Sequence, residues 1–284
     1  MSLFTKICEV YITGSNPIIN NARSLKRLEE AEKRCGVDIT TVSCRLGEPF
    51  SKEIEKFSAA FFIGNSHNMR TFNAIYNMPP VHYLINNGYM LDIPFDRREK
   101  KCNSFLFFAS SGQVHKGLDL LLDIFSQKDF PCELYICSAY GNEPQFVAAY
   151  KKELFDMPNI HAIGFIATNS KRFADIVQKC AYLIVPSCAE GQMGSALTVM
   201  SAGVIPILSQ ECGFDDDEAI LLPDCKLETI KNIILEYSQK SMDWVDKKSH
   251  EVIDMTRKKH SKEMFIQSLR QAFDKTLVNR KGDI

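Results

Sequence analysis

The 284-residue chain is 45% hydrophobic and 24% charged, a globular composition that excludes a disordered or fibrous protein. Its net charge of −1 argues against a general nucleic-acid binder, which needs a strongly basic face. No apolar run approaches the roughly 18 residues that span a bilayer, the start lacks the apolar core of a signal peptide, and the ten cysteines read as reduced packing residues of a cytoplasmic protein.

Residues 22–35 have the spacing of an amphipathic helix. Residues 37–42 and Ala59–Ile63 are strand candidates, residues 67–76 form a helix, and residues 81–85 form another strand. The run 96–101 contains no apolar residue and reads as a solvated surface linker. The second half alternates more clearly. Strands are expected at 105–110, Glu133–Cys137, 160–165, 181–186 and 204–209, and helices at 117–127, 143–155, 171–180 and 193–202. Such alternation predicts a parallel sheet covered on both faces, a doubly wound Rossmann-like domain. From Lys226 the chain reads as helical, with Ile253, Phe265, Leu269 and Phe273 as apolar anchors among many lysines. A basic amphipathic helix can lie on a membrane surface, but packing against its own protein is the favoured reading.

In an open parallel sheet, ligands bind beyond the carboxyl ends of the strands. Two loops there carry unusual chemistry. Residues 110–117, SSGQVHKG, join a strand to a helix. Small residues permit close approach of a ligand to the backbone, the helix start favours an anion, and Lys116 adds a cation suited to phosphate. His115 reads as a solvated neighbour. Residues 186–195, PSCAEGQMGS, open a later helix. Its glycines expose backbone N–H groups of the kind that grip a diphosphate. Glu190 stands beside them, either turned to sugar hydroxyls or interacting with its own helix start.

These residues carry a resemblance. The stretch 186–206, PSCAEGQMGSALTVMSAGVIP, resembles the signature of GT-B fold glycosyltransferases of the family-4 type, the glycosyl transferases group 1. His115-Lys116-Gly117 is similar to that family's phosphate loop, and Asn86-Asn87-Gly88 to its turn between domains. The resemblance implies a C-terminal nucleotide-sugar-binding domain over residues 104–284 and a partial, acceptor-side Rossmann-like domain over residues 1–95. That first half looks short of its opening strands and their glycine-rich loop. The implied activity is retaining transfer of a hexosyl group from a nucleoside-diphosphate sugar to a hydroxyl acceptor, a sugar or a lipid-linked sugar, in polysaccharide or glycoconjugate synthesis. The implied place is the cytoplasm, at the inner face of the membrane. Neither metal nor cofactor is expected. Lys116 and Glu190 are implied as catalytic, with donor contacts from Gly112, Gly164, Phe165, Gly191, Gln192, Met193, Gly194, Ser195 and Thr198. The sequence departs from the family pattern at two points. Thr198 stands where the second acid of the pair belongs, and Ser111, Gly112 and Gln113 stand where the phosphate loop usually has an arginine. A second reading is a degenerate or truncated nucleotide-sugar-binding module that acts with a partner.

Overall fold

The computed structural model describes residues 8–39 and 45–281. In chain order the first half forms β1 (Glu9–Ile12), α1 (Pro17–Cys35), β2 (Ala59–Ile63), α2 (Ser66–Asn73) and β3 (Val81–Leu84). The second half forms β4 (Lys101–Phe108), α3 (Gln113–Lys116), α4 (Leu118–Phe125), β5 (Glu133–Cys137), α5 (Pro144–Ala149), α6 (Lys151–Phe155), β6 (Ile160–Ala162), α7 (Lys171–Lys179) and β7 (Cys180–Val185). It continues through α8 (Gly194–Met200), β8 (Ile205–Ser209), β9 (Ile220–Leu222), α9 (Leu227–Ser238), α10 (Met242–Lys259) and α11 (Lys262–Lys281).

Both sheets are parallel. The second has six strands in the order β6-β5-β4-β7-β8-β9, with all neighbouring pairs parallel. The chain lays β5 and β6 to one side of β4, then returns to lay β7, β8 and β9 on the other. This doubly wound order makes the boundary between β4 and β7 the switch point, where a crevice opens beyond the strand ends. All six residues of β7, CAYLIV, are buried, as expected of a strand covered on both faces.

The first sheet has three strands in the order β1-β2-β3, and every residue of β2, AAFFI, is buried. Phe62 and Ala60 face a cluster with Met69 and Phe72 of α2. On the opposite face, Ala59, Phe61 and Ile63 meet Ala272, Phe265 and Leu269 of α11. The last helix therefore covers the first sheet, as its apolar anchors imply. In return α1, from the first half, inserts Leu28 and Ala31 into the core of the second sheet. Arg34 of α1 pairs with Asp119 of α4, and its Nε donates to Asp123 at 2.8 Å. Each half thus lends a helix to the other.

Several expectations change. Strand β1 was not anticipated: EVYI is only four residues long and half-buried. With the turn Thr13-Gly14-Ser15-Asn16, it gives the first half a strand–loop–helix opening that the sequence pattern does not announce. The strand expected at 37–42 falls partly outside the described residues, and 37–39 form no strand. The linker 96–101 is not solvated throughout. Lys100 is buried, its Nζ donates to the carbonyls of Val177 and Cys180 at 2.9 and 2.8 Å, and burial pulls its pKa down to about 8. The helix expected at 143–155 breaks at Tyr150, whose buried ring packs against Phe146 with centroids 4.9 Å apart. The strand expected at 160–165 stops at Ala162, because Gly164 turns the backbone to φ 86°. Among the described residues, no helix is long and apolar enough to cross a membrane.

Asp119 is fully buried, and burial lifts its pKa to about 6 against the pull of Arg27 and Arg34. Replacing Arg34 with Met should leave that carboxylate without its closest partner. Chemical denaturation at pH 7.5 should show a loss of about 3 kcal/mol. Adding Asp119→Asn to the same chain should recover part of it.

Candidate functional site

A cavity of about 670 Å³ opens at the switch point, beyond the carboxyl ends of β4 and β7. The loop after β4 contributes Ser110 and Lys116, and the loop after β7 contributes residues 190–195. Both loops singled out from sequence therefore border one space. Thr13, Arg45 and Tyr89 close it from the other side, and Phe165 stands at its mouth, 82% exposed.

The loop after β4 is tighter than expected. Gly112 and Gly117 adopt left-handed φ of 84° and 80°, and between them the chain winds one turn of helix, α3. A Cβ on Gly117 would stand 2.6 Å from the Pro186 carbonyl oxygen. Glycine is required there because the two loops touch. The amide N–H of Gly112 is already committed: it donates to Oε1 of buried Glu143 at 2.5 Å, and Gln113 N–H donates to the same carboxylate.

The centre of the site is a charge cluster. The Lys116 ammonium donates to Glu190 Oε1, and the Ser187 hydroxyl donates to the same oxygen at 3.0 Å. His115 is 3% exposed, not the solvated neighbour expected. Its Nε2 donates to the Ala189 carbonyl at 2.6 Å and lies 3.5 Å from Glu190 Oε1. Its Nδ1 lies 2.7 Å from the Ser24 hydroxyl, on α1. Burial opposes the charge on this imidazole, but hydrogen bonds with Cys188 and Glu190 raise its pKa to about 9. Burial likewise opposes ionisation of Glu190, and the charges of Lys116 and His115 overcome it, holding the carboxyl well below the usual carboxylate range.

The first half clamps the same loop through its backbone. The Glu190 carbonyl accepts from the Ser15 hydroxyl at 2.6 Å and from Asn68 Nδ2 at 3.1 Å. Asn68 also donates to the Glu211 carbonyl and caps its own helix. A Cβ on Gly191 would lie 2.2 Å from the Thr13 carbonyl oxygen and 3.0 Å from that of Ile63, so no other residue fits between the ends of β1 and β2. Asn86 donates to Gln192 twice, through N–H to Oε1 at 3.2 Å and through Nδ2 to the carbonyl at 2.8 Å. Gly88 lies against α8, where a Cβ would meet Leu197 Cβ at 2.6 Å.

Lys116, Glu190, Gly191, Gln192, Met193, Gly194, Ser195 and Phe165 all border the cavity. Gly112, Gly164 and Thr198 do not. Thr198 spends its hydroxyl on the Gly194 carbonyl at 3.1 Å, inside its own helix, and Gly164 serves the backbone turn. The sequence reading missed Arg45, Glu143, Asn68 and Asn86 as site residues. Asn65 and Asn68 before a helix are a capping signal, but a cap does not reveal which loop it will also hold.

A second cavity of about 310 Å³ lies across Gln192, lined by Asn65, Tyr83, Asp215, Glu218 and Lys259 among others. Asp215, Asp217 and Glu218 bring carboxylate oxygens within 4.8 Å of one another. Two of these acids are already engaged: Glu218 with Lys259 and His260, and Asp215 with Asn65 Nδ2. Burial of Glu218 is outweighed by its bonds to His260 and Lys259, which lower its pKa to about 2.

Residues 103–239 match the family of glycosyl transferases group 1. Over that stretch the chain is similar to the glycosyl transferases group 1. No curated protein matches the sequence. Among solved structures, sucrose-phosphate synthase from Thermosynechococcus elongatus is similar at 14% identity and a TM-score of 0.60, over 80% of this chain and 60% of that one. S. aureus TarM, solved with UDP, is similar at 14% identity and a TM-score of 0.59, over 78% of this chain. Anabaena HepE, solved with UDP and glucose, gives 12% identity and a TM-score of 0.59, over 80% of this chain and 68% of that one. These likenesses establish the GT-B-like α/β fold with parallel sheets. This chain spans 45% of the length of the TarM chain.

The charge cluster has a pH signature. The folded-state pKa of about 9 for His115 lies above the ordinary histidine value of 6.5. Its contribution to stability is complete below pH 6.5 and is lost as pH rises through about 9. Melting temperature should fall across that window, and His115→Gln should flatten the slope. An unchanged slope in the variant would show that the imidazolium contributes nothing to stability.

Proposed function

We propose that this chain transfers a sugar, with retention of anomeric configuration, from a nucleoside-diphosphate donor to a hydroxyl acceptor in polysaccharide or glycoconjugate synthesis. One observation carries the reading: Lys116 and the loop 190–195, chosen from sequence as phosphate and sugar contacts, line a single cavity at the switch point.

The chemistry of the cavity fits that ligand. Met193, at the cap of α8, supplies no side-chain bond to the helix start, which leaves the Gly194 and Ser195 amides for phosphate oxygens. Lys116 has three donors and gives one to Glu190. The others serve the negative charge that grows on the departing diphosphate. Against burial, Lys116 and His115 hold the Glu190 carboxyl well below the usual carboxylate range, which favours its charged form. It accepts from sugar hydroxyls and opposes the positive charge that develops on the sugar ring. Phe165 and Tyr89 offer exposed aromatic faces at the mouth for a nucleobase. The smaller cavity across Gln192 supplies Ser66, Tyr83 and Asp215 as hydrogen-bonding partners for an acceptor sugar. No metal is assigned a role in this scheme.

The test is turnover of a panel of UDP-, GDP- and ADP-sugars, with and without simple sugar acceptors. Lys116→Ala should lower kcat/KM by about 10²–10³-fold, and Glu190→Gln should lower kcat more than it changes donor affinity. A chain that binds a donor but never turns it over would be a binding module instead. A chain that binds no nucleotide sugar would refute the assignment of the cavity.

A further inference from the structure

The charges that line the main cavity leave one cation unspent. Among the described residues, the Arg, Lys, Asp and Glu side chains on its wall are Arg45, Lys116 and Glu190. Lys116 and Glu190 bind each other. Arg45 is exposed, and its guanidinium makes no hydrogen bond or ion pair with any described residue; its one hydrogen bond is through its backbone carbonyl.

Arg45 is nonetheless held in place. Asn20 Nδ2, in the first turn of α1, donates to the Arg45 carbonyl at 3.1 Å. Asn21 exchanges two hydrogen bonds with Gly47, at 2.9 and 2.8 Å. Arg45 itself has φ 51°, a left-handed conformation that a side-chain-bearing residue rarely adopts. Its stem crosses the phosphate loop at Gly112. A Cβ added there would stand 2.7 Å from Arg45 Cδ and 2.9 Å from Cγ. Gly112 is bare where the arginine stem passes, and its own amide is spent on Glu143. Gly112 thus admits the cation that serves the cavity, although it does not border the cavity itself.

We propose that Arg45 is the second cation of the phosphate site, reaching from the first half of the chain to the diphosphate that Lys116 meets from the second. This inference rests on the cavity being a nucleoside-diphosphate site. A diphosphate carries more negative charge than a lysine already paired with a glutamate can offset. A guanidinium presents a planar fork of donors that matches phosphate oxygens two at a time. It also fills a gap in the loop 111–113, which offers no cation of its own. The donor is then gripped by both halves, and residues 45–47, anchored on α1, belong to donor binding.

The experiment uses calorimetric titration of the full chain with UDP, GDP and ADP, and with the matching nucleosides, for the unaltered protein and for Arg45→Ala, Arg45→Lys and Lys116→Ala. Arg45→Ala should raise the Kd for the preferred diphosphate by about tenfold or more and leave nucleoside affinity within about twofold. Arg45→Lys should recover part of the loss, and the salt dependence of diphosphate binding should weaken in Arg45→Ala. An unchanged melting temperature would confirm that the variant is folded. If the unaltered chain binds a diphosphate and Arg45→Ala binds it equally well, the inference is overturned while the nucleotide reading stands. If Arg45→Ala weakens nucleoside and diphosphate alike, the guanidinium is not a phosphate contact and the inference is again overturned. If the unaltered chain binds no diphosphate, both fall together.

Discussion

Glu190 is held at both ends. Its carboxylate receives Lys116 and Ser187, with His115 close by, and its carbonyl receives Ser15 and Asn68. Opposed charges that are buried together cost desolvation, which is recovered only when geometry and hydrogen bonding are nearly complete. Here they are nearly complete, and the consequence reaches well beyond one side chain. The loop after β7 cannot move without breaking bonds to the loop after β4 and to two elements of the first half. The cavity between them is therefore preorganised, which is what a site needs if it is to stabilise charge without rearranging first.

The same constraint explains the distribution of glycine around the site. Gly117 exists because the two loops meet, and Gly191 because the ends of β1 and β2 press on the loop from above. Neither is there to give the chain freedom. Both are places where two backbones come closer than a side chain allows. Gly88 plays a comparable part against α8. Close backbone contact at three points holds the strand ends of both sheets around one space.

The second sheet was largely legible. Apolar runs such as CAYLIV and ELYIC stand between helices of clear periodicity, and local pattern suffices when both faces of a strand are buried. The two loops could be read because each follows a strand and opens a helix, and because together they resemble the signature of one family. The remainder depended on partners distant in sequence. Nothing in EVYI announces a strand, because β1 is short and exists by pairing with β2, about fifty residues later. Lys100 looked solvated because its neighbours are charged, yet it reaches two carbonyls about eighty residues away. His115 looked solvated for want of any sign that α1 would pack against it through Ser24. Arg45 has no motif at all. Its place in the cavity is set by asparagines on α1 and by the absence of a side chain at Gly112.

The exchange of helices between the halves bears on how the chain is made. The first sheet is finished on one face only by α11, from the far end of the chain, while α1 must wait for the core of the second sheet before Leu28 and Ala31 find their places. During synthesis the β2 residues Phe61 and Ile63 emerge early and remain uncovered until Ala272 has left the ribosome. A nascent chain of this topology exposes sticky apolar surface from the synthesis of β2 until that of α11, about two hundred residues later.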